Sequence, residues 1–166
     1  MNDFDDDDLS GMDIFITEGQ ELLEQMEQAL LVLDQQSEDA ESVNQIFRAI
    51  HTIKGSAGLV GLDDIIEFTH KAEHVLSDVR RGSIPVTSNL ISVMIEVKDH
   101  LQIMFQDVLN NQKSDKIKAS GILVKLEVFQ NATDHKKEKS KNDYTQQDAD
   151  SGKKRKKYLV QFYLGR

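Results

Sequence analysis

Four residues stand out for what their side chains could do together. His51 and Lys54 lie three apart, and Gly55 and Gly58 follow at once. Further on, His70 and Glu73 are again three apart. A neutral imidazole nitrogen is a nucleophile near neutral pH. A carboxylate against the opposite ring nitrogen fixes the tautomer and raises ring basicity. A neighbouring ammonium attracts phosphoryl oxygens. Glycines beside a reactive ring remove bulk, so that a large partner can approach. Together these groups suit a histidine that accepts a phosphoryl group and gives it away again.

That chemistry needs elements to bring the residues together. Apolar residues at steps of three and four predict a first helix from Met12 to about Gln35, through Phe15, Leu22, Met26, Ala29, Leu30 and Leu33. A second helix is expected from about Ala40 to Ser56, capped by Ser37 or Asp39, with Val43, Ile46, Phe47, Ile50 and Ile53 inward. Gly55, Gly58 and Gly61 mark its end and the turn. His51 falls on the rim of its stripe, half exposed, with Lys54 beside it. The third helix starts at Asp63 or Asp64 and stops at Arg80-Arg81-Gly82. His70 and Glu73 share one flank of it. If these two helices pack antiparallel, His51, Lys54, His70 and Glu73 meet at one seam. A fourth helix is capped by Thr87 or Ser88 and closes near Asn110, and a shorter fifth is expected from Lys116 to Gln130. Short loops imply antiparallel neighbours. The fold class is therefore all-α, an up-down four-helix bundle with a shorter fifth helix.

The rest of the 166-residue chain frames this bundle. Residues 1–11 read as an acidic disordered tail, and 12–130 as the bundle. Residues 131–157 contain almost nothing apolar and read as a charged flexible linker. Tyr158 to Leu164 look like a strand, which cannot stand alone. Residues 158–166 are thus expected to begin a following domain of a longer protein. Residues 1–129 hold 10 Lys and Arg against 24 Asp and Glu. So acidic a body argues against nucleic acid as the partner. Lys153 to Lys157 read as a solubilising linker run rather than a nucleic-acid site. The chain has no cysteine, which excludes disulfides and thiolate chemistry. No apolar run is long enough for a membrane helix, and no secretory signal opens the chain. A cytoplasmic setting is expected.

The segment HTIKGSAGLVG, residues 51–61, resembles the His-x-x-Lys-Gly signature of histidine phosphotransfer (HPt) domains. FTHKAEHVLSDVRRG and FITEGQELLEQMEQ are similar to the third and first helices of the HPt domain at the N-terminus of chemotaxis histidine kinases of the CheA type. The resemblance covers about residues 12–130. It implies that His51 is phosphorylated, that Glu73 hydrogen-bonds its ring, and that Lys54 and His70 tune reactivity and steady the phosphoryl group. It implies two partners, a kinase catalytic domain using ATP and Mg elsewhere, and a response-regulator receiver domain with an acceptor aspartate. No cofactor is expected here, since glycine-rich phosphate loops and kinase motifs are missing from the sequence.

Other readings compete. The unit could be the HPt module of a hybrid sensor kinase, a stand-alone phosphotransfer shuttle, or a helical interaction module with an incidental histidine. A metal site is the other rival. His70 and His74 are four apart, and Glu67 with His70 forms Glu-x-x-His, but a di-iron bundle needs two such motifs and zinc needs a third ligand. No metal is expected. His74 and His100 read as surface residues.

Overall fold

The computed structural model describes residues 4–134, with side chains from residue 11 onward; in them five helices follow one another and no strand occurs. Helix α1 is Phe4–Gln35, α2 Ala40–Leu59, α3 Asp63–Arg80 and α4 Ser88–Leu109. Helix α5 covers 116–134. The chain divides into two units, Met1–Phe129 and Gln130–Arg166, and the bundle lies in the first. Among the described residues no helix is long and apolar enough to cross a membrane. Residues 135–157 of the expected linker and the expected terminal strand lie outside the described residues.

Local chemistry sets the helix boundaries. Asp39 caps α2, its carboxylate accepting the Ser42 N–H at 3.0 Å. Thr87 caps α4 by accepting the Leu90 N–H at 3.2 Å. Asp115 does the same for α5, taking the N–H groups of Ile117 and Lys118 at 3.1 and 3.0 Å. These side-chain oxygens satisfy donors that a helix start leaves open. Three boundaries differ from expectation. Residues 4–11, expected as a disordered tail, have helical backbone; acidic residues favour the positive end of a helix. Gly55 and Gly58 lie inside α2 rather than ending it, and the turn falls at Gly61, whose φ of +73° suits glycine. Residues 131–134, expected as linker, continue α5.

The four long helices close a ring of contacts, α1 on α2, α2 on α3, α3 on α4 and α4 on α1. Cross-helix pairs give the directions. Phe15 meets Phe105 edge-on at 5.3 Å, while Glu27 lies 3.4 Å from Lys98, so α1 and α4 run antiparallel. Asn44 bonds Arg80, while Lys54 pairs with Glu73, so α2 and α3 do likewise. The core is apolar at every level, with Met26, Ile50, Ile53, Phe68, Ala72, Val97, Leu101 and Phe105 nearly or wholly buried. Helix α1 presents Leu23 to this core, while Leu22, expected inward, is only partly buried.

Helix α5 lies along the α3–α4 seam, tied by Lys125 to Glu96 at 2.7 Å and by Lys71 to Glu127 at 3.5 Å. Ile122 and Leu126 point inward beneath it. This cover corrects the reading of His100 as a surface residue. His100 is wholly buried, its ring edge-on to Phe68 at 4.9 Å, and neither ring nitrogen has a hydrogen-bond partner among the described residues. Burial pushes its pKa down, the charge of Lys118 adds to that, and Asp115 and Asp107 oppose it.

Two consequences are measurable. The buried His100 ring resists the proton that the unfolded chain accepts, so its contribution is full above the ordinary histidine range and shrinks as pH falls through it. The unfolding free energy should fall from about pH 7.5 to 5.5, by up to about 1.4 kcal/mol per pH unit, the linkage limit for one proton, and the thermal midpoint should fall with it. His100→Leu should flatten that slope; an unchanged slope would place the effect elsewhere. The second concerns Gly19 on α1. A Cβ there would stand 2.6 Å from Phe105 Cε2. Phe105 is fully buried against Phe15 and has nowhere to swing. Gly19→Ala should therefore destabilise the fold by about 1–3 kcal/mol in urea unfolding, despite alanine's better helix propensity.

Candidate functional site

The antiparallel α2–α3 pair brings three of the four predicted residues together. His51 faces outward from the middle of α2 with 60% of its side chain exposed. Its Nδ1 lies 3.3 Å from Oε2 of Glu73 on α3. Lys54, one turn further along α2, places Nζ 2.8 Å from the same oxygen. Glu73 is the deepest member, at 17% exposure, and Oε2 itself is buried. Lys54 is the closer partner; the 3.3 Å ring contact is longer than a good hydrogen bond. Catalytic hydrogen bonds are often loose in resting structures and tighten in the reacting complex.

Electrostatics keep this carboxylate charged. Burial pushes the Glu73 pKa up, but the Lys54 ammonium and the His51 ring beside it outweigh that and hold it below the ordinary carboxylate value. At neutral pH Glu73 is therefore an acceptor for both neighbours. With Nδ1 turned to the carboxylate, the proton belongs on Nδ1, and the Nε2 lone pair is left for an electrophile. The ammonium lies one helical turn from that ring, where it can meet the oxygens of an arriving phosphoryl group.

His70 does not join this trio through any hydrogen bond or ion pair among the described residues. It precedes Glu73 by three residues, a rotation of about 300°, which turns it further from the seam. It is exposed, and its ring neighbours His74 at 4.7 Å. His74 is exposed as expected. Among the described residues, no group of three histidine, aspartate or glutamate side chains is placed to hold a metal ion.

The two glycines differ from Gly19 in what surrounds them. A Cβ at Gly55 would meet nothing within 4 Å, and one at Gly58 would only graze Ile66 at 4.0 Å. Glycine inside a helix costs about 1 kcal/mol against alanine. Nothing within the bundle requires that cost at Gly55, so the space it leaves faces outward, one turn from His51.

Phe47 and, behind it, Arg80 were not singled out from sequence as site residues. Phe47, one turn earlier on α2, stacks on His51 with ring centroids 5.9 Å apart and planes 10° apart. Arg80, from the last turn of α3, lies over Phe47, with Cζ 4.2 Å from the ring centroid. The i,i+4 spacing of Phe47 and His51 was the available signal. Phe47 also belongs to the apolar stripe, which explained it fully as core.

The Hpt domain family matches residues 11–111. The chemotaxis protein CheA of Salmonella typhimurium is 42% identical over 101 residues, covering 61% of this chain and 15% of that protein. The chain thus spans about 15% of the length of the curated relatives it matches. Among solved structures, the CheA phosphotransferase domain from Thermotoga maritima is similar at 32% identity and a TM-score of 0.57, covering 59% of this chain and 93% of that one. The phosphorylated P1 domain of CheA3 from R. sphaeroides, solved in complex with CheY6, shares the fold at 22% identity and a TM-score of 0.66, over 72% of this chain and 94% of that one. With an exposed histidine backed by a charged carboxylate on a four-helix bundle, and with the family pattern running across all four of its helices, this chain belongs to the Hpt domain family.

Proposed function

We propose that this domain is the phosphorelay unit of a chemotaxis-type histidine kinase, and that His51 is its phosphoryl carrier. The observation that carries the reading is the geometry at Glu73. One buried oxygen faces both the Nδ1 of an exposed imidazole and the Lys54 ammonium. That arrangement orients a nucleophilic Nε2 outward and supplies positive charge beside it. The relatives that the chain matches include chemotaxis proteins CheA, which supports this setting over a hybrid sensor kinase or a stand-alone shuttle.

In the forward step the Nε2 lone pair attacks the γ-phosphorus of ATP held by a separate catalytic domain. A P–N bond forms, the bond to the β-phosphate oxygen breaks, and ADP leaves. The Nδ1 proton stays directed at Glu73, whose charge stabilises the ring as it becomes cationic. In the second step a carboxylate oxygen of a receiver-domain aspartate attacks the same phosphorus. The P–N bond breaks and its electron pair returns to Nε2. The domain itself needs no cofactor for either step, and both partners are cytoplasmic proteins in this reading. In this reading Lys54 and Glu73 act at the reacting ring, and His70 acts from outside the trio.

Mixing the chain with ATP, Mg and a CheA-type catalytic fragment should add one acid-labile phosphoryl group by intact mass, and His51→Gln should take none. Label that persists in His51→Gln would sink the assignment. Glu73→Gln should slow labelling about 10–100-fold, within the range of lost general acid–base and orienting contacts. Gly55→Gln should leave labelling by a small-molecule donor unchanged and slow transfer to a receiver domain. Equal transfer would show that the open space at Gly55 admits no partner.

A further inference from the structure

Glu73 holds the acceptor ring by one atom. That contact is 3.3 Å long, and its oxygen is shared with Lys54. A single loose contact leaves the imidazole free to turn about the bond joining it to the chain. In-line attack needs the opposite: the Nε2 lone pair lies in the ring plane, so the plane itself must point at phosphorus. Something else has to set that plane.

Phe47 meets the requirement. Its ring is nearly parallel to that of His51, and the 5.9 Å separation is within the offset-stacking range. Phe47 is in turn held from two sides. It packs partly buried against the core, and the Arg80 guanidinium lies 4.2 Å from its centroid, well inside cation–π reach. Arg80 is itself tethered, its Nε donating to Asn44 Oδ1 at 2.9 Å. A continuous series of planar groups, Asn44, Arg80, Phe47, His51, thus runs along the α2–α3 seam and ends on the reacting ring. Arg80 comes from α3, so the clamp exists only while α2 and α3 are docked.

We propose that Phe47, backed by Arg80, is a positioning residue for phosphoryl transfer: it sets the plane of the His51 imidazole so that Nε2 lies on the line of attack. This rests on the reading of His51 as the phosphoryl carrier. Phe47 acts on the transfer through the His51 ring that it stacks against. A bulk effect is separable from a planar one, because leucine fills much of the same space without a flat face, whereas tyrosine and tryptophan restore the face.

The test uses the whole chain with Phe47→Leu, Phe47→Tyr, Phe47→Trp, Arg80→Lys and Arg80→Gln. Two donors are compared: phosphoramidate, which needs no docking surface, and an ATP-loaded CheA-type catalytic fragment. Phe47→Leu should slow the phosphoramidate rate and the kinase kcat by about 5–10-fold, a modest part of what misplacement can cost. KM for the kinase fragment should stay within about twofold of wild type, because a positioning group does not change uniform binding. Tyrosine and tryptophan should recover most of the rate. Both Arg80 variants should fall between wild type and Phe47→Leu. Carbon-13 relaxation of the His51 ring, measured with no donor present, should show lower order in Phe47→Leu and recovered order in Phe47→Trp. Unchanged ring order, a loss confined to KM, or no recovery by an aromatic would each overturn the positioning role. Wild type that takes no phosphoryl group from either donor would instead remove the carrier reading, and the proposal with it, whatever the ring order shows.

Discussion

The site depends on one carboxylate that two helices must share. Glu73 belongs to α3, its partners Lys54 and His51 to α2. Mostly buried, the carboxylate loses hydration, and a lone buried charge would neutralise itself by taking up a proton. The ammonium and the ring prevent that. The pairing therefore works in both directions. It keeps a charged acceptor beside the imidazole, and it ties α2 to α3 at the level where the ring must be aimed. Because Lys54 stands closer than His51, charge on Glu73 is secured first and the ring is oriented second. The His51 ring remains 60% exposed while the carboxylate beside it is sheltered.

Glycine serves opposite ends in this bundle. At Gly19 the missing Cβ admits the Phe105 ring, so α1 and α4 approach closely and the core closes. At Gly55 the missing Cβ admits nothing from the bundle. The first glycine contributes to packing within the fold. The second leaves the helix weaker than alanine would and opens room only on the outer face beside His51. One residue type thus serves both a close internal packing and an external opening. Its neighbours, not its conformational freedom, distinguish the two.

Much of the architecture was legible because periodicity is a local property. The stripes of α2, α3 and α4, the caps at Asp39 and Thr87, and the stop at Arg80 and Gly82 can each be read from a few adjacent residues. Legibility failed where a distant element intervened. His100 lies at the edge of the α4 stripe and is polar, so it reads as solvated; α5 laid across the α3–α4 seam buries it. Gly55 and Gly58 read as a helix stop, yet the buried Ile53 and Ala57 beside them carry α2 on to Leu59. Core packing outweighed weak propensity there.

The sequence by itself determined which residues could do the chemistry. Residue type and helical phase place His51 on a rim, Lys54 beside it and Glu73 on a matching flank, because one turn of helix is the same everywhere. Only the tertiary structure decided which of them meet. Docking α2 against α3 joined Glu73 to both Lys54 and His51, left His70 beside His74, and laid Arg80 over Phe47. The reason is geometric. Phase along one helix fixes a direction to within a few tens of degrees. A contact between two helices depends also on how far they slide and how closely they approach, and those are set by the buried side chains of the whole bundle.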